Sequence, residues 1–261
     1  MTLSLTLPEH RSAIELAAAE YERCLALLRT LDAGDWEQPT DCPDWTVRQM
    51  ACHMLGMIAM AASFREMVRQ NVIAMRAGGD PLDATTALQV RERADWGPER
   101  IMDEWSRRAP AAVAGRKRLP GIIRRLPAIP QQIGAEREIW RVGYLTDVIL
   151  TRDPWLHRVD ISRAVGRPHQ LSAEHDGAIV DGVVREWAVR HGRSCSLVLD
   201  GPAGGSWTFG SGGPSLQHDA VEFCRALSGR ASTIEPAAHL ETYVPFRSGS
   251  VDRPSGAWEY R

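Results

Sequence analysis

Four side chains in this sequence have the types and spacing to hold a divalent metal ion. His53 closes the stretch T-D-C-P-D-W-T-V-R-Q-M-A-C-H, residues Thr40 to His53, and Asp153, His157 and Asp160 sit in T-R-D-P-W-L-H-R-V-D-I, residues Thr151 to Ile161. Positions three and four apart share a face of a helix, so the last three side chains project the same way. Helix bundles build metal sites from side chains on facing helices. Two imidazoles and one carboxylate suit zinc or another divalent first-row metal and leave a position open for water or substrate.

The same residues have plainer readings. A histidine on a core helix can be a hydrogen-bonded core residue. Asp153, directly before Pro154, can cap a helix that the proline opens. Asp160 can pair with Arg158, Arg163 or Arg167. His169, His175, His191, His218 and His239 show no ligand spacing and read as surface or cap residues. Gly204-Gly205-Ser206-Trp207-Thr208 lacks the last glycine of a nucleophile elbow. The glycines between 201 and 213 fit neither a dinucleotide fingerprint nor a P-loop and read as hairpin turns.

Helices must position these side chains. Apolar spacing predicts a first helix from Pro8 to Leu31, ended by Gly34. A second starts after Thr46, whose capping box with Gln49 is legible, and the pattern carries it to about Ala74. It sets His53 on a stripe with Met57, Met60 and Phe64. Gly78-Gly79-Asp80-Pro81 breaks the chain, and a third helix starts near Pro98. The basic groups Arg116-Lys117-Arg118 and Arg124-Arg125 read as a solvated loop face. Residues Glu136 to Val165 again have a helical pattern, disturbed by Pro154 and stopped by Gly166-Arg167-Pro168. Beyond it, Ser172 to Arg190 and His218 to Leu227 read as helices, with Ser194 to Asp200 and Ser206 to Phe209 as paired strands. The expected fold class is a two-domain α+β chain, a four-helix bundle over residues 1–168 followed by a small α+β domain over 169–261.

Composition narrows the function classes. With 44% hydrophobic and 25% charged residues the chain can bury a core without cross-links. A net charge of −2 gives no global attraction to nucleic acid or to a membrane surface. Five cysteines without C-x-x-C spacing argue against a disulfide scaffold or a zinc ribbon. Met1 to His10 lacks signal-peptide features, and no apolar run is long enough to span a bilayer, so a cytoplasmic protein is expected. Cys52 adjoins His53 but points about 100° away around the helix, and reads as core.

The Thr40 to His53 stretch resembles the N-terminal signature of the mycothiol-dependent maleylpyruvate isomerase family, T-x-C-P-x-W-[ST]-V-x-x-[VL]-x-x-H, within the DinB-like metal-binding four-helix bundles; position 50, which the pattern gives as Val or Leu, is Met here. D-P-W-L-H-R-V-D-I followed by A-V-G-R-P is similar to the later helix of that family. Ala226-Leu227-Ser228-Gly229-Arg230 and Val244-Pro245-Phe246 resemble its second, sterol-carrier-protein-like domain. The resemblance implies zinc or another divalent metal on His53, Asp153 and His157, with Asp160 as the runner-up ligand or as a partner of the ligands. It implies mycothiol as a thiol cosubstrate and a small electrophile as substrate, with isomerase or S-transferase chemistry, in a monomer or small homo-oligomer. Arg230 falls where an arginine helps to bind substrate, and by itself also reads as a cation at a helix C-terminus. The family uses Glu where this chain has Asp153, one methylene shorter and followed by Pro154. A non-catalytic small-molecule-binding protein with a vestigial metal site is the other function class.

Overall fold

A computed structural model describes residues 9–133 and 136–230; His239 and Val244-Pro245-Phe246 lie outside the described residues. The chain runs through α1 (His10–Leu28), α2 (Val47–Ala62), α3 (Phe64–Ala77), α4 (Pro81–Arg91), α5 (Pro98–Lys117) and the single turn α6 (Gly121–Arg124). Strands β1 (Pro127–Ile133) and β2 (Glu136–Arg141) follow, then the turn α7 (Val142–Tyr144), a π-helical stretch Leu145–Ile149, and α8 (Leu150–Ala164). The remainder is α9 (Asp176–His191), β3 (Cys195–Asp200), β4 (Gly205–Phe209), β5 (Ser215–Asp219) and α10 (Ala220–Leu227).

Helices α1, α2, α5 and α8 form the bundle: α1 and α2 each pack on both α5 and α8. Its core is Tyr21 and Leu28, Met50, Met54, Leu55 and Ile58, and Ile101 and Trp105, with the Trp105 indole donating to the Tyr21 carbonyl at 3.1 Å. Helices α3 and α4 pack on each other and on the outside of α2. The second region is a three-stranded sheet in the order β4-β3-β5, with β3 antiparallel to β4 and parallel to β5. Val180, Val184, Trp187, Leu197 and Phe223 fill its core together with Trp155, Leu156 and Val159 of α8. One helix therefore supplies both cores.

Several expected elements differ. The second helix ends at Ala62 rather than near Ala74, because Ser63 turns extended and its hydroxyl caps α3 at the Glu66 amide. Phe64 consequently leaves the expected stripe and is 76% exposed. The Gly78 to Pro81 break opens a helix, α4, with Asp80 accepting from the Leu82 and Asp83 amides. Residues Glu136 to Arg141 form a strand paired to β1, not a helix; their charged composition suits either state, and the pairing decides it. His218 lies in β5, whose parallel pairing with β3 could not be read locally.

Pro154 does not open a helix. It is the fifth residue of α8, which continues the π-helical stretch. A proline there has no N–H for the carbonyl four residues back. That carbonyl, on Leu150, accepts instead from Arg116 Nη1 at 3.2 Å, while Arg116 Nη2 donates to Thr151 Oγ1 at 2.8 Å. Arg116, expected on a solvated face, is thus buried with its guanidinium on α8. His175, expected as a surface or cap residue, does hold the N-cap position of α9, but its side chain is buried and makes no cap bond. It pairs with Glu20 at 2.6 Å in a cluster where Arg158 donates to Glu20 and Asp176, and the Trp155 indole donates to Asp176. That cluster ties α8 to α1 and to the start of α9.

Candidate metal centre

The loop before α2 is closed by its own backbone: Thr40 N–H donates to the Trp45 carbonyl, and Trp45 N–H to the Cys42 carbonyl. Thr46 and Gln49 then exchange the expected capping-box bonds, at 3.4 and 2.8 Å. The geometry fixes where α2 starts and so brings His53, two turns in, to the inner face. It also lays the Trp45 ring beside both imidazoles, with centroids 5.1 Å from His53 and 5.9 Å from His157.

Asp153 lies between the two histidines. Its Oδ2 is 3.3 Å from His53 Nε2 and its Oδ1 is 3.2 Å from His157 Nε2. The imidazole planes are perpendicular, at 89°, and all three residues are buried. One donor atom from each lies within 4.8 Å of the others. Asp153 is the fourth residue of α8, past the N-cap position held by Ile149, and its carboxylate faces the two imidazoles.

The outward ring nitrogens are also held. His53 Nδ1 lies 2.7 Å from Gln89 Oε1, and His157 Nδ1 lies 3.3 Å from Asp160 Oδ2. Gln89, on α4, was not singled out by the sequence because its helix was not. Asp160 turns away from the ligand face towards Arg230, which binds it with Nε at 2.8 and 2.9 Å and Nη2 at 2.7 Å; Arg225 adds a contact at 3.3 Å. Arg230 is therefore buried against the centre, 3.5 Å from His157 Nδ1, with its fork occupied by a carboxylate of this chain. Cys42 lies there too, its sulfur 3.9 Å from both Asp160 and Arg230, so Cys42, His157 and Asp160 form a second cluster of donor atoms. Cys52, as expected, is core: burial pushes its thiol up to about 11.

The electrostatics follow from burial and pairing. Burial disfavours the Asp153 carboxylate, but the two imidazoles beside it hold it well below the usual carboxylate range. Burial likewise opposes charge on His157, and Asp153 and Asp160 outweigh it, raising its pKa well above that of a free imidazole. Asp160 is lowered to about 2 against its burial, by the charge and hydrogen bonds of Arg230 and the bond to His157.

The residues fit a divalent cation. With Nδ1–H directed at an outward acceptor, each Nε2 turns a lone pair towards a carboxylate that is acceptor-only when ionised. Three acceptors facing one another in a buried site need positive charge among them. Either protons or one metal ion can supply it. A separate cavity of about 550 Å³ lies on another side of α8, lined by Thr151, Arg152, Tyr144, Ile179 and Glu186 and by none of the three candidate ligands.

Comparisons with known proteins agree on the family and the fold. The sequence profile of the Mycothiol maleylpyruvate isomerase N-terminal domain matches residues 17–162, more than half of the chain. The crystal structure of the mycothiol-dependent maleylpyruvate isomerase superposes with a TM-score of 0.56 at 13% identity, covering 87% of this chain and 91% of that one. A histidine mutant of that isomerase gives 0.53 at 14% identity, covering 86% and 91%. No curated protein sequence matches.

Proposed function

Since the chain belongs to the mycothiol maleylpyruvate isomerase N-terminal domain family, we propose that it is an enzyme that uses a low-molecular-weight thiol, mycothiol by family, on a small electrophile. The convergence of His53 Nε2, His157 Nε2 and the Asp153 carboxylate, with both Nδ1 atoms engaged elsewhere, carries this reading. His53, Asp153 and His157 would hold one divalent ion, zinc being the best match to the donor set. When bound, that ion favours the thiolate over the thiol, and the thiolate is the nucleophile.

The protein's own residues do the rest. Asp153 offsets part of the cation's charge, and Asp160 keeps the His157 proton on Nδ1 so that its Nε2 stays a donor to the metal. Trp45 walls the histidine pair on one side and limits water. Arg230 neutralises Asp160, which keeps that carboxylate from competing as a ligand and leaves Asp153 as the third. To bind a substrate carboxylate, Arg230 would have to share the fork that now holds Asp160. Thiol chemistry suits a cytoplasmic setting.

Metal analysis of protein purified without chelators, with and without thiol-dependent turnover, tests the reading. The expected result is one equivalent of metal, lost in His53→Ala and His157→Ala while the helical spectrum persists. Wild-type protein that is metal-free and neither binds zinc nor gains thermal stability from it would overturn the metal centre. Turnover that is independent of thiol would overturn the cosubstrate.

A further inference from the structure

The side chain that faces the outer nitrogen of His53 belongs to a continuous buried chain crossing three helices. His53 Nδ1 meets Gln89 Oε1 at 2.7 Å; Gln89 Nε2 meets Gln70 Oε1 at 2.9 Å; Gln70 Nε2 meets Glu66 Oε1 at 2.9 Å. Arg69 then grips Glu66 at 2.6 and 2.8 Å and Glu92 at 2.6 and 2.7 Å at the surface. Both glutamines are fully buried. The spare N–H of Gln70 reaches the Gly56 carbonyl at 3.3 Å. Gly56 has to be glycine for this to exist, since a Cβ there would lie 2.4 Å from Gln89 Cγ.

The chain has one allowed direction. An amide side chain is donor at one end and acceptor at the other, and the two ends have nearly the same shape, so the bonds at the terminus of the chain decide which way each amide points. Glu66, held down to about 2 chiefly by its bonds to Arg69, is an acceptor only. Gln70 must therefore turn its N–H to Glu66 and its oxygen to Gln89. Gln89 must turn its N–H to Gln70, where the sulfurs of Met57 and Met60 also accept, at 3.2 and 3.3 Å. Only the Gln89 oxygen is left for His53, and His53 must donate to it.

We propose that Gln89 is a positioning residue for the metal centre: backed by Gln70 and oriented by Glu66, it keeps a proton on His53 Nδ1 and so reserves Nε2, the nitrogen beside Asp153, for the ion. It acts through His53 and touches no reactant. His157 receives the same service from Asp160 directly; His53 receives it from a carboxylate two amides away. A carboxylate behind a ligating imidazole raises the ligand's basicity and fixes its tautomer, and aligned amides in a buried chain polarise one another. The inference deepens the metal-centre reading and rests on it for the ion, but the tautomer is a property of the metal-free protein as well.

Long-range proton–nitrogen correlation on ¹⁵N-labelled, metal-free protein at mildly alkaline pH reads the tautomer directly. Wild type is expected to show His53 with a proton on Nδ1, directed at Gln89 Oε1, whether or not Nε2 is also protonated towards Asp153. Gln89→Met keeps the length and removes the acceptor, and is expected to give mixed or Nε2–H His53. Glu66→Gln, at the partly exposed end of the chain, removes the acceptor-only terminus and is expected to give a mixture with the fold intact. Zinc affinity, by competition with a chromogenic chelator, should fall about 10–100-fold in Gln89→Met. The proposal is overturned by a wild-type His53 whose Nδ1 carries no proton, by an Nδ1–H that persists undiminished in both variants, or by zinc affinity unchanged within twofold in Gln89→Met. If wild type binds no zinc, the metal centre fails, and the tautomer of the three metal-free proteins still decides the role of Gln89.

Discussion

Arg230 and Asp160 show how much one buried pair governs. A planar fork on both oxygens of a buried carboxylate is strong only while both partners stay. Removing the arginine strands the charge of Asp160, so Arg230→Ala is expected to cost about 3–5 kcal/mol in urea unfolding, and Arg230→Lys, which keeps charge without the fork, distinctly less. The pH dependence has a definite sign. The carboxyl of Asp160 sits at about 2 when folded and near 3.9 when unfolded, so its stabilisation is present above about pH 4 and lost as pH falls towards 2. Its size is on the order of 2–3 kcal/mol. Asp160→Asn should flatten the acid limb of stability measured on metal-free protein; an acid limb of unchanged steepness would show that other carboxylates govern it.

At the scale of elements, the least expected feature is a proline inside the helix that carries Asp153 and His157. Its missing donor is offset by Arg116 reaching across from α5 to the Leu150 carbonyl and Thr151. Arg116→Met should therefore cost about 2–3 kcal/mol, as expected for leaving buried polar groups without partners. The loss should be smaller in a Pro154→Ala background, where a backbone N–H is restored. Additive losses in that double-mutant cycle would mean the two residues do not cover for each other. What the sequence made legible follows from range. The Thr46 cap, the Pro98 start, the facing of Asp153 and His157, and the β3–β4 hairpin are local signals, and each is seen. Arg116, His175, Gln89 and β5 were misread or missed because their partners lie on other elements: α8, α1, α2 and β3. A run of charge reads as surface until something distant claims it.

For the molecule as a whole, α8 sets the cooperativity. Asp153 and His157 face the bundle, while Trp155, Leu156 and Val159 belong to the core under the sheet. The bundle and the α9–α10 region should then melt as a single transition, with calorimetric and near-ultraviolet signals coinciding. Zinc at 100 times its dissociation constant should raise the stability of that whole transition by about 2.7 kcal/mol. Two resolved transitions, with only the lower or the upper one moved by zinc, would mean that the shared helix does not couple the regions.

The position of Trp45 gives the protein an optical property. Its indole lies within 6 Å of both imidazoles by ring centroids. Charged imidazolium rings quench indole emission, so exchanging protons for a closed-shell cation, itself without colour, should brighten or shift the intrinsic fluorescence. Although the chain has nine tryptophans, the change should vanish in Trp45→Phe, which singles out the reporting ring. Loading and stripping of the centre could then be followed in a stopped-flow cell, in real time, with no dye attached.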